Sequence, residues 1–109
     1  PSVLIQGNDV ANTDENGIYV TAFSTADIIN NIVADAGFNG IEINGRGGKT
    51  VVVSRSNDYD YKGIVNVTGN TINSSDQNGI LVGNVYKARI RDNTVDQSDW
   101  DGINLYNFD

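Results

Sequence analysis

The ionisable side chains of this 109-residue chain are 14 carboxylates and 7 cations, besides five tyrosines, and there is no histidine or cysteine. Ser–His and Cys–His nucleophiles, disulfides and thiolate or imidazole zinc sites are therefore excluded. Any acid–base reaction has to run on Asp and Glu, with Arg, Lys or Tyr in support. Asp14, Asp76 and Asp99 each stand three residues before a Gly-Ile that follows Asn or Asp, and Gly37 holds the fourth such place. If one turn of chain separates Asp76 from Asp99, their Cα atoms lie about 5 Å apart. Like charges that close raise one pKa, as a general acid requires, and about 5 Å is also the carboxyl spacing of retaining glycoside hydrolysis. The same oxygens are ligands suited to Ca²⁺. The simpler expectation is an Asx-turn with the side chain in water, because Asp14 fits the pattern without a neighbour.

A second group of candidates lies between Asn44 and Lys62. It contains Arg46, Lys49, Arg55 and Lys62, the carboxylates Asp58 and Asp60, and Tyr59 and Tyr61. The cations suit a uronate or sulfate, and tyrosines stack on sugar rings. The alternative is a decorative hairpin or a subunit contact. The Gly-rich start of this segment lacks P-loop spacing, and no helix follows it. Glu42 sits at the root of the segment and is the best single acid on its strand. Trp100, between Asp99 and Asp101, shares a corner column with Phe38 and is a second stacking candidate. Arg89 and Arg91 flank an inward Ile90 and read as a solvated face. Two glycosylation sequons, Asn66-Val67-Thr68 and Asn73-Ser74-Ser75, are of a length common by chance.

The elements that must position these residues repeat. Gly-Ile preceded by Asn or Asp occurs at Gly17, Gly40, Gly79 and Gly102, in steps of 23, 39 and 23, and Asn8, Asn31, Asn70 and Asn93 follow the same steps. The odd step is one repeat plus a 16-residue insertion. Ile5, Ile28, Val67 and Ile90 form a further column, as do Val10, Val33, Ile72 and Val95. Within each repeat the apolar residues alternate in steps of two, the period of a strand with one buried face. Ile and Val number 12 each against 3 Leu and 2 Glu, which favours strands over helices, and 16 Asn with 12 Gly supply many corners. A unit this short cannot bury its apolar face alone, so coils must stack, each strand pairing in parallel with its equivalent about 4.8 Å away. The Asn column is expected to form a ladder of amides. The Gly before each Ile is expected to take a left-handed corner.

The expected fold is thus all-β: a parallel β-helix of about four coils, right-handed by the crossover rule, forming one domain over 1–109 with an inserted hairpin at 44–62. The repeat resembles the right-handed parallel β-helix repeats of pectate-lyase-like proteins. Asn78-Gly79-Ile80-Leu81-Val82 and Ile90-Arg91-Asp92-Asn93-Thr94-Val95 carry the resemblance. It implies a polysaccharide lyase, glycoside hydrolase or uronate epimerase, or a non-catalytic solenoid such as a tailspike segment or adhesin shaft. It also implies a polysaccharide partner and a secreted, cell-surface or virion setting. Narrower signatures are absent: there is no Asp-Pro-His-Glu, no Asp-Asp with Gly-His-Gly, and no Gly-Gly-x-Gly-x-Asp repeat. The candidate catalytic set is accordingly Glu42, Asp76 and Asp99. The candidate substrate-binding set is Arg46, Lys49, Arg55, Asp58, Tyr59, Asp60, Tyr61 and Trp100. The residues single out no cofactor, and Ca²⁺ is the metal that the carboxylates could take. A net charge of −7 argues against nucleic acid and anionic membranes. With no Met, a start at Pro1 and no visible capping helix, the chain is expected to be a processed or excised piece. Its open edges should be met by further coils, another domain or a second copy.

Overall fold

The computed structural model describes residues 1–45, 49–51, 59–61 and 63–108. The alternation read from the sequence becomes three short strands per coil. The first coil holds β1 (Ser2–Gln6), β2 (Asp9–Thr13) and β3 (Ile18–Thr21). The second holds β4 (Thr25–Ile29), β5 (Ile32–Ala36) and β6 (Ile41–Asn44). Next come two insertion strands, β7 (Lys49–Val51) and β8 (Tyr59–Tyr61). The third coil holds β9 (Ile64–Thr68), β10 (Thr71–Ser75) and β11 (Ile80–Val85). The fourth holds β12 (Lys87–Arg91), β13 (Thr94–Ser98) and β14 (Ile103–Phe108).

Equivalent strands stack into three parallel sheets of four. Sheet A runs β1-β4-β9-β12, sheet B β2-β5-β10-β13 and sheet C β3-β6-β11-β14. The register follows the sequence columns. Ile5 pairs with Ile28, Ile28 with Val67, and Val67 with Ile90. Val10, Val33, Ile72 and Val95 pair in the same way. The core is the space between the sheets, filled by Ile28, Val33, Ile41, Ile43, Val67, Ile72, Ile80 and Val82, all fully buried. Burying each such side chain is worth about 1.5–3 kcal/mol. In the fourth coil the equivalent Ile103 and Leu105 are 47% and 52% exposed.

Inward asparagines tie coil to coil. Asn8 Nδ2 donates to Asn31 Oδ1 (3.0 Å), Asn31 to Asn70 (3.0 Å) and Asn70 to Asn93 (2.9 Å). Each acceptor oxygen also takes the preceding rung's backbone N–H at 2.9 Å. A second ladder donates the other way: Asn78 Nδ2 to Asn39 Oδ1 and Asn39 Nδ2 to Asn16 Oδ1, both at 3.1 Å. Its fourth place is Asp101, whose carboxylate cannot donate; only its backbone N–H reaches Asn78 Oδ1, at 3.2 Å. A third set links Asn107 to Asn84 and Asn84 to Asn44.

The glycines before each Ile do not take the left-handed corner expected of them. Gly7 and Gly69 are the described glycines with positive φ. Space is the reason Gly stands there: a Cβ on Gly40 would run into Ile72 Cγ2 and the Gly79 carbonyl, and one on Gly79 into Val95 Cγ1 and the Gly102 carbonyl. Left-handed residues occur instead at Asn30 and Asp92, aligned with Gly7 and Gly69, and in a column through sheet B.

β7 and β8 pair antiparallel, Lys49 opposite Tyr61 and Val51 opposite Tyr59. The hairpin leaves the coil after Gly45 and rejoins it at Gly63, at the corner between sheets C and A. Gly63 packs on the buried Phe23 ring, where a Cβ would come within 2.9 Å of Cε2. The Gly63 carbonyl accepts from Tyr86 N at 2.9 Å.

Candidate binding groove between sheets B and C

Sheet B carries one irregularity in every coil. Asn12, Asp35, Ser74 and Gln97 all have φ between 56° and 67°. Pairing skips them, passing from Asn73–Ala34 directly to Ser75–Ala36. The extra residue delays the inward side chain by one place, so Asp35 is exposed and Ala36 buried. Asn and Asp tolerate this conformation, whereas Ser and Gln adopt it less readily. Because all four coils share it, the bulge belongs to the frame. Its consequence is local: it turns the polar side chains of column 35/74 toward the corner with sheet C.

Beside that column runs the row Asp14, Gly37, Asp76, Asp99. Backbone bonds hold it in step: Gly37 N donates to Thr13 O (2.9 Å), Asp76 N to Ala36 O (3.0 Å) and Asp99 N to Ser75 O (3.0 Å). Where the second coil has Gly37 the row is interrupted. A groove of about 410 Å³ opens there, lined by Thr13, Asp14, Asp35, Ala36, Gly37, Ser74 and Asp76. A Cβ at residue 37 would overlap the Asp14 carbonyl, so only Gly leaves this floor intact. Asp14 and Asp76 stand two coil steps apart across the gap, roughly 10 Å between Cα atoms. Asp14, Asp35 and Asp76 are all exposed, and the hydroxyl residues Thr13 and Ser74 lie between them.

The next row outward is Glu15, Phe38, Gln77, Trp100, again joined coil to coil by backbone bonds of 3.0–3.1 Å. Phe38 adjoins the groove floor and is 40% exposed; Trp100, two coils further along the axis, is 64% exposed. The corner therefore presents carboxylates and hydroxyls beside aromatic rings, along a line parallel to the solenoid axis.

The structure brings together only part of the set read from the sequence. Asp76 lines the groove. Asp99 is its neighbour one coil on, outside the lining. Glu42 does not line the groove. It is half-buried on the outer face of sheet C, where its Oε1 accepts from Asn39 Nδ2 at 2.9 Å. Lys49, Tyr59, Asp60 and Tyr61 belong to the hairpin strands, while Arg46, Arg55 and Asp58 lie outside the described residues. Asp35, Ser74 and Thr13 are groove residues that the sequence reading missed. The signal for Asp35 and Ser74 was the run of polar, turn-tolerant types at 12, 35, 74 and 97, spaced 23, 39 and 23; Thr13 lies one column further on. Among the described residues no group of three or more Asp, Glu, His or Cys side chains is placed to hold a metal ion. Among those residues, too, no helix is long and apolar enough to cross a membrane.

Fold and site together define a class, the parallel β-helix with a polar, aromatic-flanked corner. No family model matches the chain, and no curated protein or solved structure is significantly similar to it.

Proposed function

We propose that the chain is a polysaccharide-binding β-helix module of the pectate-lyase-like kind, taking a glycan strand along the corner between sheets B and C. One observation carries this reading: the Gly37 gap in the aspartate row opens a groove of carboxylates and hydroxyls directly beside exposed Phe38 and in line with Trp100. Sugar hydroxyls donate to carboxylates, and the apolar faces of sugar rings stack on aromatic side chains. A polymer laid along the axis meets carboxylates at Asp14, Asp76 and Asp99 and aromatic rings at Phe38 and Trp100 in turn. Carboxylates lining the groove favour a neutral glycan over an anionic one here. A secreted or cell-surface setting agrees with such a ligand. The test is affinity electrophoresis of the chain through gels containing neutral polysaccharides, with reducing-end analysis of the same polymers after incubation. Retardation by at least one polymer is expected, and new reducing ends would extend the reading to hydrolysis through Asp76.

The second reading, a non-catalytic structural shaft, draws on the ladders. They cross every coil boundary and would stiffen a solenoid with no ligand at all. Passage through every gel unretarded would favour it.

A further inference from the structure

The placement of positive charge has no part in the groove just described. Four of the seven cations lie in the insertion, and the other three, Lys87, Arg89 and Arg91, are alternate residues of one strand, β12. All three are exposed on the outer face of sheet A, while Ala88 and Ile90 between them point to the core. Alternate residues of a strand sit about 6.6 Å apart, so the three charges form a straight strip. Among the described residues none of the three has an ion-pair partner. Arg89 lies opposite Asn66 in the neighbouring strand. Among the described residues, the one carboxylate on the outer face of this sheet's strands, Asp27, is a further strand away and already accepts from Asn66 Nδ2 at 2.8 Å. A depression of about 220 Å³ lined by Ile64, Val65, Asn66, Lys87 and Arg89 lies alongside.

The topology adds to this strip. Lys87 begins its strand at the corner between sheets C and A, and Lys87 N and Tyr86 N both donate to the Gly63 carbonyl, where the insertion rejoins the coil. In sequence, Arg46 follows Gly45 and Lys62 precedes Gly63. The two groups of cations are thus rooted at one corner of a chain whose net charge is −7.

We propose that the outer face of sheet A along Lys87, Arg89 and Arg91 is a second binding site, for a polysaccharide strand carrying carboxylate or sulfate groups. Guanidinium forks bind such oxyanions in two-point fashion, and Asn66 supplies a neutral polar neighbour. A polysaccharide strand is favoured over nucleic acid or an anionic bilayer because the strip is one strand wide. A nucleic-acid duplex or a charged plane would also face the acidic remainder of the surface. The site is independent of the corner groove, and either can fail without the other.

Dextran and dextran sulfate share a backbone and differ in charge, so they separate the two sites. The chain should bind dextran sulfate at low salt, and affinity should fall at least tenfold in the triple variant Lys87→Gln/Arg89→Gln/Arg91→Gln. A variant neutralising Arg46, Lys49, Arg55 and Lys62 should lose less. In the wild-type chain, amide shifts on adding short sulfated dextran should concentrate at Asn66, Lys87, Arg89 and Arg91, a readout that does not depend on the variant's folding. No binding to dextran sulfate would overturn the proposal. So would binding that survives the triple substitution, shifts confined elsewhere, or tighter binding to single-stranded DNA or phosphatidylserine vesicles. A triple variant that aggregates while binding normally would mark the strip as a guard against edge pairing, which also overturns it.

Discussion

The corner between sheets B and C and the outer face of sheet A are built on the same coils, yet they carry opposite charge. At the corner, three exposed aspartates surround a gap made by Gly37; on sheet A, three exposed cations line a single strand. Behind both surfaces the interior is the same, with apolar columns in register and asparagine ladders joining successive coils. The contrast teaches how a solenoid divides its work. Inward positions are bound to the repeat because each must fit the coil above and below. Outward positions are free of that constraint, so chemistry is written in departures from the repeat: a missing side chain at 37, a run of cations at 87–91, an insertion after Gly45.

The largest effect should come from breaking the frame that both surfaces share. Asn70 is 1% exposed; its amide reaches Asn93 Oδ1 and the Ile28 carbonyl, and its oxygen takes Asn31 N and Nδ2. Asn70→Ala strands several of these buried groups, at about 1–3 kcal/mol each. A loss of about 3 kcal/mol or more is expected in chemical denaturation, with both surfaces losing ligand together. Next in size is Gly40→Ala, whose Cβ meets Ile72 and a carbonyl and should cost about 1–3 kcal/mol. Gly102→Ala is its control, because the nearest atom is 3.9 Å away and the change should stay within about 0.5 kcal/mol. Equal melting shifts in the two variants would refute the spatial role given to this glycine column.

Gly37→Val then separates the surfaces. It fills the groove and presses on the Asp14 carbonyl, so corner binding should disappear at a cost of about 1–3 kcal/mol while sheet A keeps its ligand. The smallest expected effect on stability is that of Asp76→Asn. The side chain is exposed, so the melting curve should move by less than about 0.5 kcal/mol. Corner affinity should weaken severalfold in a gel-shift titration. Asp99→Asn, one coil outside the lining, should change affinity less.

The sequence carried most of the fold because the repeat constrains inward residues so tightly. Columns spaced 23, 39 and 23 gave the strand partners residue by residue, and the 39-step located the inserted hairpin. The role of the glycine before Ile was not legible: lack of space and need for a positive φ both select Gly, and only the packing of Ile72 against Gly40 tells them apart. The third asparagine set was hidden because Asn44 and Asn84 are 40 residues apart rather than 39. The groove was half legible. Its aspartate row stood out, but the gap at Gly37 read as an absence of chemistry, when it is where the groove opens. Glu42, chosen for its place at the insertion root, accepts from the corner residue Asn39 and stays outside the groove lining.

The most direct test uses the chain's single tryptophan as its own reporter. Trp100 is exposed and stands in line with the groove, so its fluorescence can be followed while neutral polysaccharides are titrated in. A saturable change with at least one polymer, abolished by Gly37→Val in a chain that still melts cooperatively, is the predicted result. A flat titration across the panel, or one that Gly37→Val leaves unaltered, would contradict a glycan-binding corner.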